Sequence, residues 1–143
     1  MSDTNQSEIA RIFELAPFIA DLGICLDSIV PGECRTSLVL AERHLQQDGF
    51  VHAGVQATMA DHTAGAAAAS LVASGRYVLT AEFRISLLRA AKGSHLTCVA
   101  KVLKAGSSLT VVESEVFCGT PESARLVSKA TVTLAPPRPR NEK

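Results

Sequence analysis

The sequence predicts an α+β fold in which an antiparallel sheet of about six strands wraps one long central helix. Three features lead there. Residues 54–74 form a run of about twenty helix-favouring, mostly small residues with no proline. From residue 76 the apolar period changes to two, and the later apolar runs are separated by connections of hairpin length.

Each element follows from its own pattern. In residues 7–22, Ile9, Ile12, Phe13, Leu15, Ala16 and Ile19 fall at intervals suited to one side of a helix, which Pro17 should kink and Gly23 should end. Residues 24–30 and 33–40 make a hairpin turned at Pro31-Gly32, and 44–51 is a polar loop. The long helix then runs to Gly75. Beyond it, Ala81, Phe83, Ile85 and Leu87 alternate with polar residues, giving a strand with one buried face. Strands at 94–103, 109–118 and 126–134 complete a four-strand antiparallel meander. Residues 1–135 make one domain with an N-terminal helix, and 136–143, PPRPRNEK, is expected to be a disordered tail. A sheet wraps a helix closely only where the side chains between them are small, a condition met by Ala57, Ala60, Ala64, Gly65, Ala67 and Ala68.

Charge and cysteine usage narrow the function. Across 143 residues the formal net charge is zero, which offers no general attraction to nucleic acid or an anionic membrane and does nothing to keep copies apart. Cys25, Cys34, Cys98 and Cys118 contain no CxxC pair and are expected to be buried, reduced thiols of a cytoplasmic protein. The start, MSDTNQSE, lacks the pattern of a secretory leader.

One residue breaks the small-residue helix: Asp61. Its neighbours one turn away, Ala57, Thr58, Ala64 and Gly65, include no partner of opposite charge. A carboxylate there either faces water or stands at a cleft, and the small, uncharged surroundings favour the cleft. The turn His52-Ala53-Gly54 opens the helix, where N–H groups without intrahelical acceptors can hold an oxyanion or a polarised carbonyl. Free donors plus a carboxylate two turns later are the two halves of an acyl-transfer site. His52, Asp61 and His62 do not make a metal site, because no further ligand stands at a supporting spacing, and His62 is expected to be structural. His44 and His95 carry no signal.

The order of a loop, VHAGVQATMADHTAG, a long small-residue helix and four strands resembles the PaaI-like acyl-CoA thioesterases of the hotdog-fold superfamily. The likeness runs from about Ile24 to Ala135. By resemblance, Asp61 activates water or attacks the thioester, the Ala53 and Gly54 N–H groups with His52 beside them bind its carbonyl, and Thr80 helps position water. Ala53 replaces a usual glycine, and Gln46 stands where many relatives carry an asparagine that orients the carbonyl or water. The resemblance further implies an acyl-CoA substrate with no separate cofactor or metal, sites assembled across a homodimer or dimer of dimers, and coenzyme A phosphates held by Arg89, Lys92, Gly106, Ser107 and Ser108. Met59, Leu15 and Phe18 are expected along the acyl tunnel. The alternatives are an acyl-CoA-binding protein without catalysis and an enoyl-thioester hydratase or dehydratase.

Overall fold

The computed structural model of the protein describes residues 1–140, apart from the side chain of Thr4. Helices α1 (Asp3–Leu15) and α2 (Pro17–Leu22) are the two pieces that Pro17 separates. Ser2 caps α1 by accepting from the Asn5 N–H, and Pro17 opens α2 where a missing N–H costs nothing. Gly23 ends it at φ 86°, a left-handed conformation that a side chain would strain. Strands β1 (Cys25–Val30) and β2 (Glu33–Val39) form the expected hairpin. A 3-10 turn at Glu42–His44 then leads to the central helix α3 (Ala53–Ala69).

α3 stops earlier than Gly75. Ser70 ends it: its hydroxyl donates to the Ala67 carbonyl at 2.6 Å and accepts from the Gly32 N–H at 2.8 Å, tying the helix end to the β1–β2 turn. The Asn5 amide donates to the carbonyls of Ser70 and Val72, supplying partners that a helix end lacks. The next N–H groups close i→i−3 bonds that tighten and terminate the last turn.

The remaining strands are β3 (Arg76–Tyr77), β4 (Thr80–Leu87), β5 (His95–Ala105), β6 (Thr110–Gly119), β7 (Ala124–Leu134) and β8 (Arg138–Pro139). The six-stranded sheet has the order β1-β2-β5-β6-β7-β4, with all pairs antiparallel. The expected four-strand meander therefore holds only for β5 to β7. β4 crosses to the far edge and pairs with β7, because wrapping α3 brings the last strand round to meet it. The tail also departs from expectation. Arg138–Pro139 pair with Arg76–Tyr77, while 141–143 lie outside the described residues.

α3 lies in the hollow of the sheet. Ala60, Ala64, Ala67 and Ala68 are buried against it, next to Ala100, Val112, Val116 and Ala130 of the strands. Small residues on both surfaces let two hydrogen bonds bridge the layers: Ser114 donates to the Ala60 carbonyl at 2.8 Å, and Thr36 and Thr63 share a 2.8 Å hydrogen bond. Larger side chains such as Leu38, Met59 and Leu96 complete the core, each contributing roughly 1.5–3 kcal/mol by burial. Ala57 and Gly65 are only half-buried and line open grooves instead of the sheet contact.

The β4 alternation is also only partly buried. Ile85 is half-covered, but Phe83 and Leu87 are 41% and 52% exposed, since an edge strand at the rim of the wrap is not roofed by α3. Three cysteines are buried and Cys25 is exposed, all four as free thiols. Burial pushes the thiols of Cys34 and Cys98 up to about 12. No helix among the described residues is long and apolar enough to cross a membrane.

Candidate active site

Asp61 is half-buried on the side of α3 that faces β4. The Thr80 hydroxyl, at the start of β4, donates to Asp61 Oδ1 at 2.6 Å. The β4 bulge between Thr80 and Glu82 lies at this point, where the strand shifts register against β7. Thr58, the hydroxyl one turn away on the helix, does not serve Asp61, because it donates to the Gly54 carbonyl at 2.8 Å. Asp61 and Thr80 together line a cavity of about 520 Å³. A smaller groove of about 270 Å³, with Phe18 and Phe83 in its walls, meets Asp61 from the other side.

His62 shares both walls with Asp61. Its ring stands edge-on to Phe13, centroids 4.6 Å apart, and Nε2 is buried with no hydrogen-bond partner among the described residues. Burial lowers its pKa below the ordinary 6.5, against an opposing pull from the Asp61 carboxylate. It is a neutral, packed imidazole beside the carboxylate.

The start of α3 distributes its N–H groups unevenly. Those of Val55 and Gln56 turn to the His52 carbonyl, and that of Gly54 donates to His52 Nδ1 at 2.8 Å. A Cβ at residue 54 would stand only 3.0 Å from that nitrogen, so glycine is what lets the imidazole fold over the helix end as a cap. Of the two expected backbone donors, the Gly54 N–H is thus occupied. The exposed Ala53 N–H has no acceptor among the described residues. Ala53 is helical and no non-glycine residue has positive φ, so alanine fits here without strain.

One chain keeps the two halves apart. Asp61 lies eight residues beyond Ala53 on α3, about 12 Å along the axis, too far for its carboxylate to reach a carbonyl bound at the Ala53 N–H. His52 and Gly54 line a separate groove of about 330 Å³.

Other expected residues are placed differently. The Gln46 carbonyl oxygen accepts from the N–H groups of Asp48 and Phe50 and its nitrogen donates to Asp48, so the amide is engaged in its own loop. Arg89 and Lys92 lie near the α3 start, where Ala91 accepts from the Val51 N–H and Lys92 sits 6.0 Å from the Phe50 ring. Gly106, Ser107 and Ser108 are at the opposite end of β5, roughly 33 Å away for an 11-residue strand, so one chain does not bring these two groups together. The Gly106 N–H closes its own turn onto Leu109. Met59 is fully buried in the core, away from the grooves described above, whereas Phe18 borders the groove at Asp61 and Leu15 a neighbouring one.

The sequence reading missed Arg76 and Arg140. Both line the 520 Å³ cavity, Arg140 because its N–H donates to the Gly75 carbonyl beside the β3–β8 pair. Arg140 lies in the tail expected to be disordered, and Arg76 lines the cavity through the β3–β8 pairing that this tail makes.

The profile of the thioesterase superfamily matches residues 48–124. A 1,4-dihydroxy-2-naphthoyl-CoA hydrolase of Listeria monocytogenes is 26% identical over 114 residues, covering 80% of this chain and 90% of that protein. The crystal structure of a thioesterase family protein from Silicibacter pomeroyi superposes with a TM-score of 0.88 at 31% identity, covering 92% of this chain and 96% of the other. The E. coli PaaI protein from the phenylacetic acid degradation operon shares the fold, with a TM-score of 0.83 at 19% identity and 94% of each chain covered. With a helix-wrapping six-stranded sheet and a family profile over more than half its length, this chain belongs to the thioesterase superfamily, a thioester hydrolase on the hotdog fold.

Proposed function

We propose that this protein hydrolyses acyl-CoA thioesters to coenzyme A and a carboxylic acid, with Asp61 as general base or nucleophile. The observation that carries this is the half-buried Asp61 carboxylate, held by Thr80 at 2.6 Å in the wall of a cavity. In the general-base form, Asp61 takes a proton from water as the water oxygen bonds to the thioester carbon. The carbonyl oxygen gains charge beside the Ala53 N–H, a donor worth roughly 3 kcal/mol in such a position. The C–S bond then breaks, and the proton passes from Asp61 to the departing sulfur. In the nucleophile form, a carboxylate oxygen bonds to the carbon as the C–S bond breaks and coenzyme A leaves as a thiolate that takes a proton from solvent; water then hydrolyses the resulting anhydride to the carboxylic acid and the free Asp61 carboxylate. Neither form requires a metal or separate cofactor, coenzyme A entering as part of the substrate.

The roughly 12 Å between Ala53 and Asp61 favours a site shared by two copies, each supplying one half. The open edge of β4, with Phe83, Leu87 and Leu88 exposed, gives a second copy an apolar surface to cover in a homodimer or dimer of dimers. Arg89 and Lys92 stand at the donor-turn end, suited to the phosphates of a coenzyme whose thioester sits on Ala53. The Gly106–Ser108 turn fits that task only if it comes from another copy. Four free cysteines suit a cytoplasmic setting.

The test is thiol release from a panel of acyl-CoAs by wild type and Asp61→Asn. A loss of about 10²–10⁴-fold in kcat is expected, and equal rates would remove Asp61 from the mechanism.

A further inference from the structure

Along one wall of the 520 Å³ cavity, α3 presents Asp61, Gly65, Ala66 and Ala69; the segment from Thr80 back to Arg76 forms the facing wall. Thr80 bonds to Asp61, so the two walls begin together. They also end together: eight helical residues cover about 12 Å and four extended ones about 13 Å, which puts Ala69 opposite Arg76. Arg140 joins Arg76 there, since the Arg140 N–H donates to the Gly75 carbonyl and β8 pairs with β3. The cavity is therefore a trough with Asp61 at one end and two arginines, Arg76 and Arg140, at the other.

Neither arginine makes an ion pair among the described residues. Arg76 donates to the Pro137 carbonyl at 3.4 Å, which leaves most of its donors free. The adjoining groove contains Arg11 and Glu8, and the Glu8 carboxylate accepts from Ser74 at 2.9 Å. Among the described residues, positive charge dominates this end. Between the two ends the lining is mainly apolar, with Ile12, Ala66, Val78, Leu79 and Leu134, and carries two polar side chains, His62 next to Asp61 and Tyr77 next to Arg76.

Resting on the hydrolase reading above, we propose that Arg76 and Arg140 form an anion subsite for the far end of the acyl group, so that the preferred substrates are acyl thioesters bearing a terminal carboxylate. A coenzyme phosphate offers the same charge, but the pantetheine arm that would have to lie in the trough carries two amides, for which the mainly apolar lining offers only His62 and Tyr77 as side-chain partners. A saturated chain of roughly eight to ten carbons spans the trough.

The experiment compares decanoyl and decanedioyl thioesters, each made on coenzyme A and on pantetheine, with wild type, Arg76→Gln, Arg140→Gln and Arg76→Lys. Thermal unfolding confirms that each variant is folded. Wild type should show a KM about tenfold lower for decanedioyl on both carriers; each Gln variant should lose that preference and Arg76→Lys should retain part of it. A wild type indifferent to the terminal carboxylate, or a preference that survives both Gln variants, overturns the subsite. A KM increase confined to coenzyme A carriers, equal for both acyl groups, assigns the arginines to phosphate and also overturns it. Decanoyl turnover by wild type reports the hydrolase reading separately. Calorimetric titration of decanedioate itself requires no turnover: weaker binding by Arg76→Gln supports the subsite, and equal binding contradicts it.

Discussion

Thr80 Oγ1 donates to Asp61 Oδ1 at 2.6 Å, a bond that joins the start of an edge strand to the middle of the central helix. The hydroxyl fixes one carboxylate oxygen and leaves the other directed by it. Thr80→Val, which keeps the shape and removes the donor, should lower kcat about tenfold with KM little changed, and Thr80→Ser should restore most of the loss. Steady-state thiol release on the three proteins checks this.

His52 has a structural task distinct from carbonyl binding, because its Nδ1 caps α3 through the Gly54 N–H at 2.8 Å. His52→Ala should destabilise the fold by about 1 kcal/mol, and His52→Asn, which can accept the same bond, should recover that stability. Denaturant unfolding of the pair measures it. If catalysis needs the imidazole itself, activity will separate from stability in the asparagine variant.

His62 makes stability depend on pH. Its pKa is lowered in the folded state, mainly by burial, so the unfolded chain binds the proton more readily. The folded protein should therefore hold its full His62-linked stability above pH 6.5 and lose it as pH falls from there through the lowered folded value. Unfolding free energies measured across that range should fall less steeply for His62→Asn than for wild type. Parallel slopes would mean that the imidazole is not desolvated.

Local patterns made much of this protein legible from its sequence. Pro17 and Gly23 set the ends of α2, and the alanines announced a helix in close contact with a sheet. His52 and Asp61 stand out by their places at and on the small-residue helix and Thr80 by the family resemblance, and the hydrogen bond from Thr80 to Asp61 joins two of them. Long-range pairing was not legible. Nothing local distinguishes β4 beside β5 from β4 beside β7, since the choice depends on how far the sheet curls round α3. Likewise, a short proline-rich tail carries no pattern that predicts a two-residue ladder, so Arg140 could not be placed next to Arg76. Side-chain competition also lies beyond spacing: position alone makes the Gly54 N–H a free donor, but the adjacent imidazole takes it.

The central claim is that the Ala53 N–H of one copy and the Asp61 carboxylate of another act on the same thioester. Mixing two inactive proteins tests it most directly. Ala53→Pro deletes the donor at the first helical position, where proline is tolerated and the extended His52 before it is compatible; Asp61→Asn removes the carboxylate. After the two variants are unfolded and refolded together, half of the dimers pair one with the other, and each such dimer has one intact site. The account predicts recovery of about a quarter of wild-type activity per chain in the mixture. A mixture as inactive as its two components, with subunit exchange verified by mass, would contradict it.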